Sequence, residues 1–220
     1  MEKEMLNGTP IPCDLPIDAL REMMKSGNMQ DFSLACEVLS CRDDRGAYDV
    51  LKSYIGSKDK YRRLSVLMTV FRHPNAVELV GFLESAIASD DFLFARNGLQ
   101  VVAKYGVTVS EAVLLTAVKR YLAMLGTEIC ALKILPATEN NYKELIALFE
   151  AAETSSQKEC LCEILTQKYL PTKAGELFDL FGNEDFPKLR LAAVRLGKEY
   201  DFDISKFAGD EDGHIRNEAQ

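Results

Sequence analysis

Phe186–Tyr200 reads FPKLRLAAVRLGKEY, and the rest of the chain repeats it. Pro187 stands where a first helical turn accepts proline, and Leu189, Ala192, Ala193 and Leu196 follow at helical spacing. Counting back from Ala192 by 30 to 32 residues at a time reaches Cys160, Cys130, Gly98, Val66 and Ala35, all small or β-branched. Four residues beyond these positions come Leu196, Ile164, Ile134, Val102, Val70 and Leu39. Six helices with one pattern at one period mark a stacked helical repeat.

A second register runs between them. Leu51, Val80, Leu115, Leu145, Leu177 and Phe207 are equivalent, at steps of 29, 35, 30, 32 and 30 residues. Three residues later come Tyr54, Leu83, Val118, Leu148 and Leu180. The long step matches an extra loop at Gly106 to Thr108. The expected pairs are Asp31 to Arg42 with Arg45 to Ile55, Asp59 to Arg72 with Pro74 to Ala88, and Asp91 to Tyr105 with Val109 to Leu125. Three more follow: Thr127 to Leu135 with Asn141 to Ala152, Ser155 to Tyr169 with Lys173 to Phe181, and Pro187 to Tyr200 with Ile204 to Ala208. Gly106 and Pro136 read as helix stops.

Residues 1–15, with Gly8, Pro10 and Pro12, read as a flexible tail, and residues 16–220 as one domain. Within it, residues 16–27 form a capping helix, about 29–209 the repeats, and 210–220 a partial repeat or C-terminal cap. The chain is also readable as the repeat domain of a longer regulatory protein.

Asp212-Gly-His-Ile215-Arg216-Asn-Glu-Ala219 fits the pattern Asp-x-x-(apolar)-Arg-x-x-Ala. Asp185 with Leu189, Arg190 and Ala193 fits with one residue inserted; Asp91 with Arg96 and Asp59 with Arg63 fit more loosely. This resembles the HEAT and HEAT-like repeats of armadillo-type α-solenoids, over about residues 29 to 219. Pairs one, four and five depart from it, with Ser33, Glu128 and Lys158 in place of the arginine. The fold expected is all-α: an α-α superhelix (right-handed solenoid) of about six HEAT-like helical hairpins. The resemblance implies fold and leaves function open, because such arrays serve many tasks. The recurring Asp and Arg read as repeat chemistry, Asp capping helices and Arg tying repeats through loop carbonyls or carboxylates.

Charge narrows the partners. A formal net charge of −8 argues against nucleic acid, which needs a Lys/Arg surplus on some face. Neither a membrane-spanning apolar run nor a signal peptide is visible, so no membrane insertion is expected and a cytoplasmic location is. The six cysteines form no CxxC pair. Cys130 and Cys160 fall on the small core position of successive repeats, where free cysteine behaves as a small hydrophobe. The two histidines, His73 and His214, have no converging ligand or nucleophile by spacing. No phosphate loop, nucleophile elbow, dinucleotide fingerprint or zincin motif occurs. No catalytic, cofactor or metal-binding residue is assigned.

One face of the second helices carries the candidate site. Residues one before and two after the central position are expected to face the concave side of the stack. They are Leu79 and Phe82, then Leu114, Ala117 and Tyr121, then Glu144 and Ala147, then Glu176 and Asp179. An apolar patch followed by an acidic stretch suits a protein or peptide partner, such as a basic or amphipathic helix. Alternatively, tighter curvature buries the apolar residues as core. The expected function is a non-enzymatic scaffold or adaptor. HEAT-like DNA alkylation-repair glycosylases would require a basic groove, and bilin-lyase-like solenoids a large apolar groove with a polar handle.

Overall fold

A computed structural model describes residues 14–220, together with the backbone of residues 5–6 and 9–10. Most of the expected 1–15 tail therefore lies outside the described residues. Within it Met5–Leu6 (β1) and Thr9–Pro10 (β2) pair antiparallel, with Met5 opposite Pro10 and Leu6 opposite Thr9. From Ile17 onward all regular structure is helical. The chain divides into two compact units, Met1–Ala117 and Val118–Gln220.

In the first unit, α1 (Ile17–Lys25) buries Leu20 and Met24 and packs on α2 (Met29–Ser40). Four helices begin where polar side chains satisfy the free N–H groups of a first turn. Asn28 Oδ1 accepts from Gln30 N at 2.9 Å for α2, and Asp44 Oδ1 from Ala47 N at 2.9 Å for α3 (Arg45–Lys52). Asp59 Oδ1 accepts from Tyr61 N at 2.9 Å for α4 (Lys60–Val70), and Asp91 Oδ1 from Leu93 N at 3.0 Å for α6 (Phe92–Tyr105). Gly106, at φ 64°, ends α6 in the left-handed region and donates its N–H to Val102 O at 2.9 Å. α4 packs on both α2 and α6, and Phe32, Tyr48, Leu51, Leu67 and Leu99 are fully buried.

The second helix of pair two is not uniform. It opens as a 3₁₀ segment, Pro74–Leu79, before α5 (Val80–Ile87). His73 caps that segment, its Nδ1 accepting from Asn75 N at 3.1 Å; this buried ring is part of a helix start. α7 (Glu111–Tyr121) spans the division between the units.

In the second unit, 3₁₀ turns at Leu122–Met124 and Thr127–Ile134 precede α8 (Glu139–Ala151) and α9 (Ser155–Tyr169). The α-helix expected over 127–135 is thus 3₁₀. Gly126 enters it in a non-helical conformation (φ −114°, ψ −113°), and Pro136 forbids its continuation. α10 (Ala174–Gly182), α11 (Pro187–Tyr200), a 3₁₀ turn Ser205–Phe207 and α12 (Gly213–Glu218) complete the unit. Gln157 ties its start together, giving its amide to Leu122 O at 2.7 Å and Leu125 O at 2.9 Å while closing a capping box with Thr154. α9 packs on α8, α11 and the Thr127–Ile134 segment, and α10 packs on α11.

Several of the recurring Asp and Arg residues make local structural contacts, with two differences from expectation. Asp59, Asp91 and Asp212 cap helices, but α11 has no side-chain cap and Asp185 offers only its carbonyl, to Arg190 at 2.6 Å. In pair two it is Arg62, not Arg63, that reaches the loop carbonyls, Ser26 O at 2.7 Å and Met24 O at 3.2 Å. Arg63 instead lies over the Phe94 ring at 4.8 Å.

Candidate functional site

α8 buries Tyr142, Leu145, Leu148 and Phe149, and α10 buries Ala174, Leu177, Phe178 and Phe181. A helical turn advances about 3.6 residues, so Ile146, Ala147 and Glu150 fall on the other side of α8. With Leu180 and Glu176 of α10 they line a hollow of about 370 Å³, completed by Glu139, Tyr142 and Lys143. Its floor is apolar and its rim carries three carboxylates and one ammonium.

Tyr142 is the hinge-pin of this hollow. Its ring is 5% exposed, packs edge-on to Tyr169 at 4.9 Å, and lies under Lys173 Nζ at 4.7 Å. The phenol donates to Glu176 Oε2 at 3.0 Å, while Lys173 pairs with Glu176 at 3.0 Å and Glu139 at 3.5 Å. Lys173 first, and the phenol second, hold the Glu176 carboxyl below the usual glutamate range. Burial, then the bond to Glu176, pushes the Tyr142 hydroxyl above the usual phenol range. Carboxylates beside an apolar floor make a surface for a cationic amphipathic group.

The residues expected on the concave face divide sharply. Leu79 is 3% and Leu114 0% exposed, and Ala117 is buried too, so the apolar stripe over these positions is core and not a docking surface. The residues assigned to core beside them, Val80 and Leu115, are half-buried. The inward face in pairs two and three thus takes in Leu79 and Leu114 beside Leu83, Ile87 and Val118, which are buried as expected. In pair two the 3₁₀ entry supplies a reason, because three residues per turn rotate the face relative to an α-helix. Phe82 is half-buried and lines a separate hollow of about 250 Å³ with Ile55, Arg63, Ser85 and Phe94. Tyr121 is half-buried, with Arg120 over its ring at 5.9 Å.

The acidic positions divide as well. Glu176 lines the α8–α10 hollow with Ala147. Glu144 is half-buried and bonded to Lys119 at 2.5 Å, and Asp179 is exposed outside the hollow. Sequence reasoning missed Tyr142, Ile146 and Glu150, and with them Glu139, Lys143 and Leu180. The first three recur at four-residue spacing along α8, a signal that was present but hidden beside the adjacent core register.

Among the described residues no group of three or more His, Cys, Asp or Glu side chains could hold a metal ion, and no helix is long and apolar enough to cross a membrane. Cys130 and Cys160, expected in the core, are half-buried and in mutual contact. Comparison with protein-family models, with curated proteins and with solved structures found no match to the chain.

Proposed function

We propose that this chain is a non-enzymatic HEAT-like α-solenoid, a scaffold or adaptor, whose α8–α10 hollow takes a basic amphipathic helix of a partner protein. The hollow carries the reading: an apolar floor of Ile146, Ala147 and Leu180, rimmed by Glu139, Glu150 and Glu176. An amphipathic helix would lay leucine-type side chains on that floor and set lysines or arginines against the rim. The helices add to the charge, α8 carrying Glu139, Glu144 and Glu150 against Lys143, and α10 carrying Glu176 and Asp179 against Lys173 at its start.

The repeat reading draws support from side-chain contacts that recur near the sequence period. Arg45 meets Glu78 33 residues on, Tyr142 meets Glu176 34 on, Lys133 meets Glu163 30 on and Glu159 meets Lys188 29 on. Stacked repeats touch their neighbours in this way.

The test is fluorescence anisotropy with a labelled synthetic helix bearing leucine on one face and lysine on the other. Wild type should bind it, and Ala147→Gln/Glu150→Gln should bind about tenfold more weakly at low salt, the loss of one rim charge and part of the floor costing about 1.4 kcal/mol. A scrambled peptide of equal charge should bind weakly to both. Equal binding of the amphipathic peptide by wild type and variant would sink the reading.

A further inference from the structure

Two thiols meet in the second unit. Cys130 lies in the 3₁₀ segment Thr127–Ile134 and Cys160 in α9, which packs against it, and their sulfurs are 3.1 Å apart. Both residues are half-buried, within reach of a small oxidant from solvent. The other cysteines of the described residues are differently placed. Cys36 and Cys162 are buried, and Cys41 Sγ sits 3.8 Å from an Arg72 guanidinium nitrogen. Lys133 Nζ acts electrostatically on both contacting sulfurs and pairs with Glu163 at 2.6 Å, placing a cation beside the pair.

We propose that Cys130 and Cys160 are an oxidation site: a dithiol that hydrogen peroxide converts reversibly to a disulfide joining the Thr127–Ile134 segment to α9. The approach from 3.1 Å to a bonded sulfur pair is about 1 Å. In the first step a Cys130 sulfur attacks one peroxide oxygen; the S–O bond forms, the O–O bond breaks, and the thiol proton leaves with the other oxygen as water. Cys160 sulfur then attacks the sulfenic sulfur; the S–S bond forms, the S–O bond breaks, and the hydroxide departs with the Cys160 proton as water. Two electrons pass from the sulfur pair to the peroxide, and two waters result. Burial, then the Cys130 contact, pushes the Cys160 thiol up to about 12, which favours Cys160 as the resolving partner, its high local concentration offsetting its low thiolate fraction. External thiols reverse the bond by exchange.

The cross-link would enclose all of α8 in a covalent loop, restricting the unfolded chain and raising thermal stability. The experiment treats the full-length folded chain with hydrogen peroxide at one equivalent, then maps peptides under non-reducing conditions and records thermal unfolding. The expected result is a Cys130–Cys160 linked peptide as the main disulfide, with Tm raised by about 5 °C and restored by dithiothreitol. Cys130→Ser and Cys160→Ser should lose both effects, and Cys41→Ser should keep them. Free thiols at both positions after treatment, single adducts on either, or cross-links among the other cysteines would each overturn the proposal on wild-type protein alone, whatever the variants do.

Discussion

Tyr142 donates its hydroxyl to Glu176 at 3.0 Å across 34 residues of chain, fixing the floor of the α8–α10 hollow to its rim. The donor is buried, the acceptor largely exposed, so the bond is partly screened by water. Tyr142→Phe keeps the ring against Tyr169 and removes only the hydroxyl, and is expected to lower stability by about 1 kcal/mol in urea unfolding at neutral pH. A variant as stable as wild type would show that the bond contributes nothing to folding.

Leu114 and Phe82 were expected on one face and the fold separates them, Leu114 fully buried and Phe82 half-buried. Leu114→Ala should therefore cost about 2–5 kcal/mol, the transfer and cavity cost of a core leucine. Phe82→Ala should cost less, because its ring already faces a hollow. Urea midpoints for the two variants check the order; the reverse order would return Leu114 to the surface.

Gly98 lets α5 and α6 approach closely. A Cβ there would stand 2.7 Å from Ile87 Cγ1 and 3.2 Å from the Ile87 backbone nitrogen. Alanine would gain about 1 kcal/mol of helix propensity and lose about 1–3 kcal/mol to the clash, so Gly98→Ala should be destabilised on balance. Because the backbone of Ile87 takes part, side-chain repacking alone offers no escape. A rise in the urea midpoint of Gly98→Ala would contradict the close approach.

Glu78 sits between Arg45 Nη1 at 2.5 Å, Lys52 Nζ at 3.4 Å and the Tyr48 hydroxyl at 3.3 Å. The bond to Arg45, then that to Lys52, holds its carboxyl at about 2, while burial opposes them. Its folded value is below its unfolded one, so its contribution is present above the ordinary glutamate range and disappears as pH falls through that range toward 2. Glu78→Gln should melt below wild type at pH 7, with the gap closing as the pH is lowered. A gap that is constant with pH would mean that the side chain acts by shape and not by charge.

Much of the chain's helical plan was legible from residue types alone. Asp59, Asp91 and Asp212 cap because a short carboxylate reaches the free N–H groups of a first turn. Gly106 and Pro136 stop helices because one tolerates positive φ and the other cannot donate an N–H. Of the site, Ala147 and Glu176 were legible because they stand two after Leu145 and one before Leu177, both buried as expected. Where two adjacent apolar residues compete, as in Leu79-Val80 and Leu114-Leu115, the sequence leaves the choice open. Both members fit within an apolar stripe wider than the 100° between neighbours on a helix, and only packing selects the inner one. The contacts of Tyr142 with Glu176 and of Cys130 with Cys160 likewise needed the tertiary structure. They join segments 34 and 30 residues apart in the chain, and the angle and distance at which helices pack depend on whole faces of side chains, which no local rule of the sequence specifies.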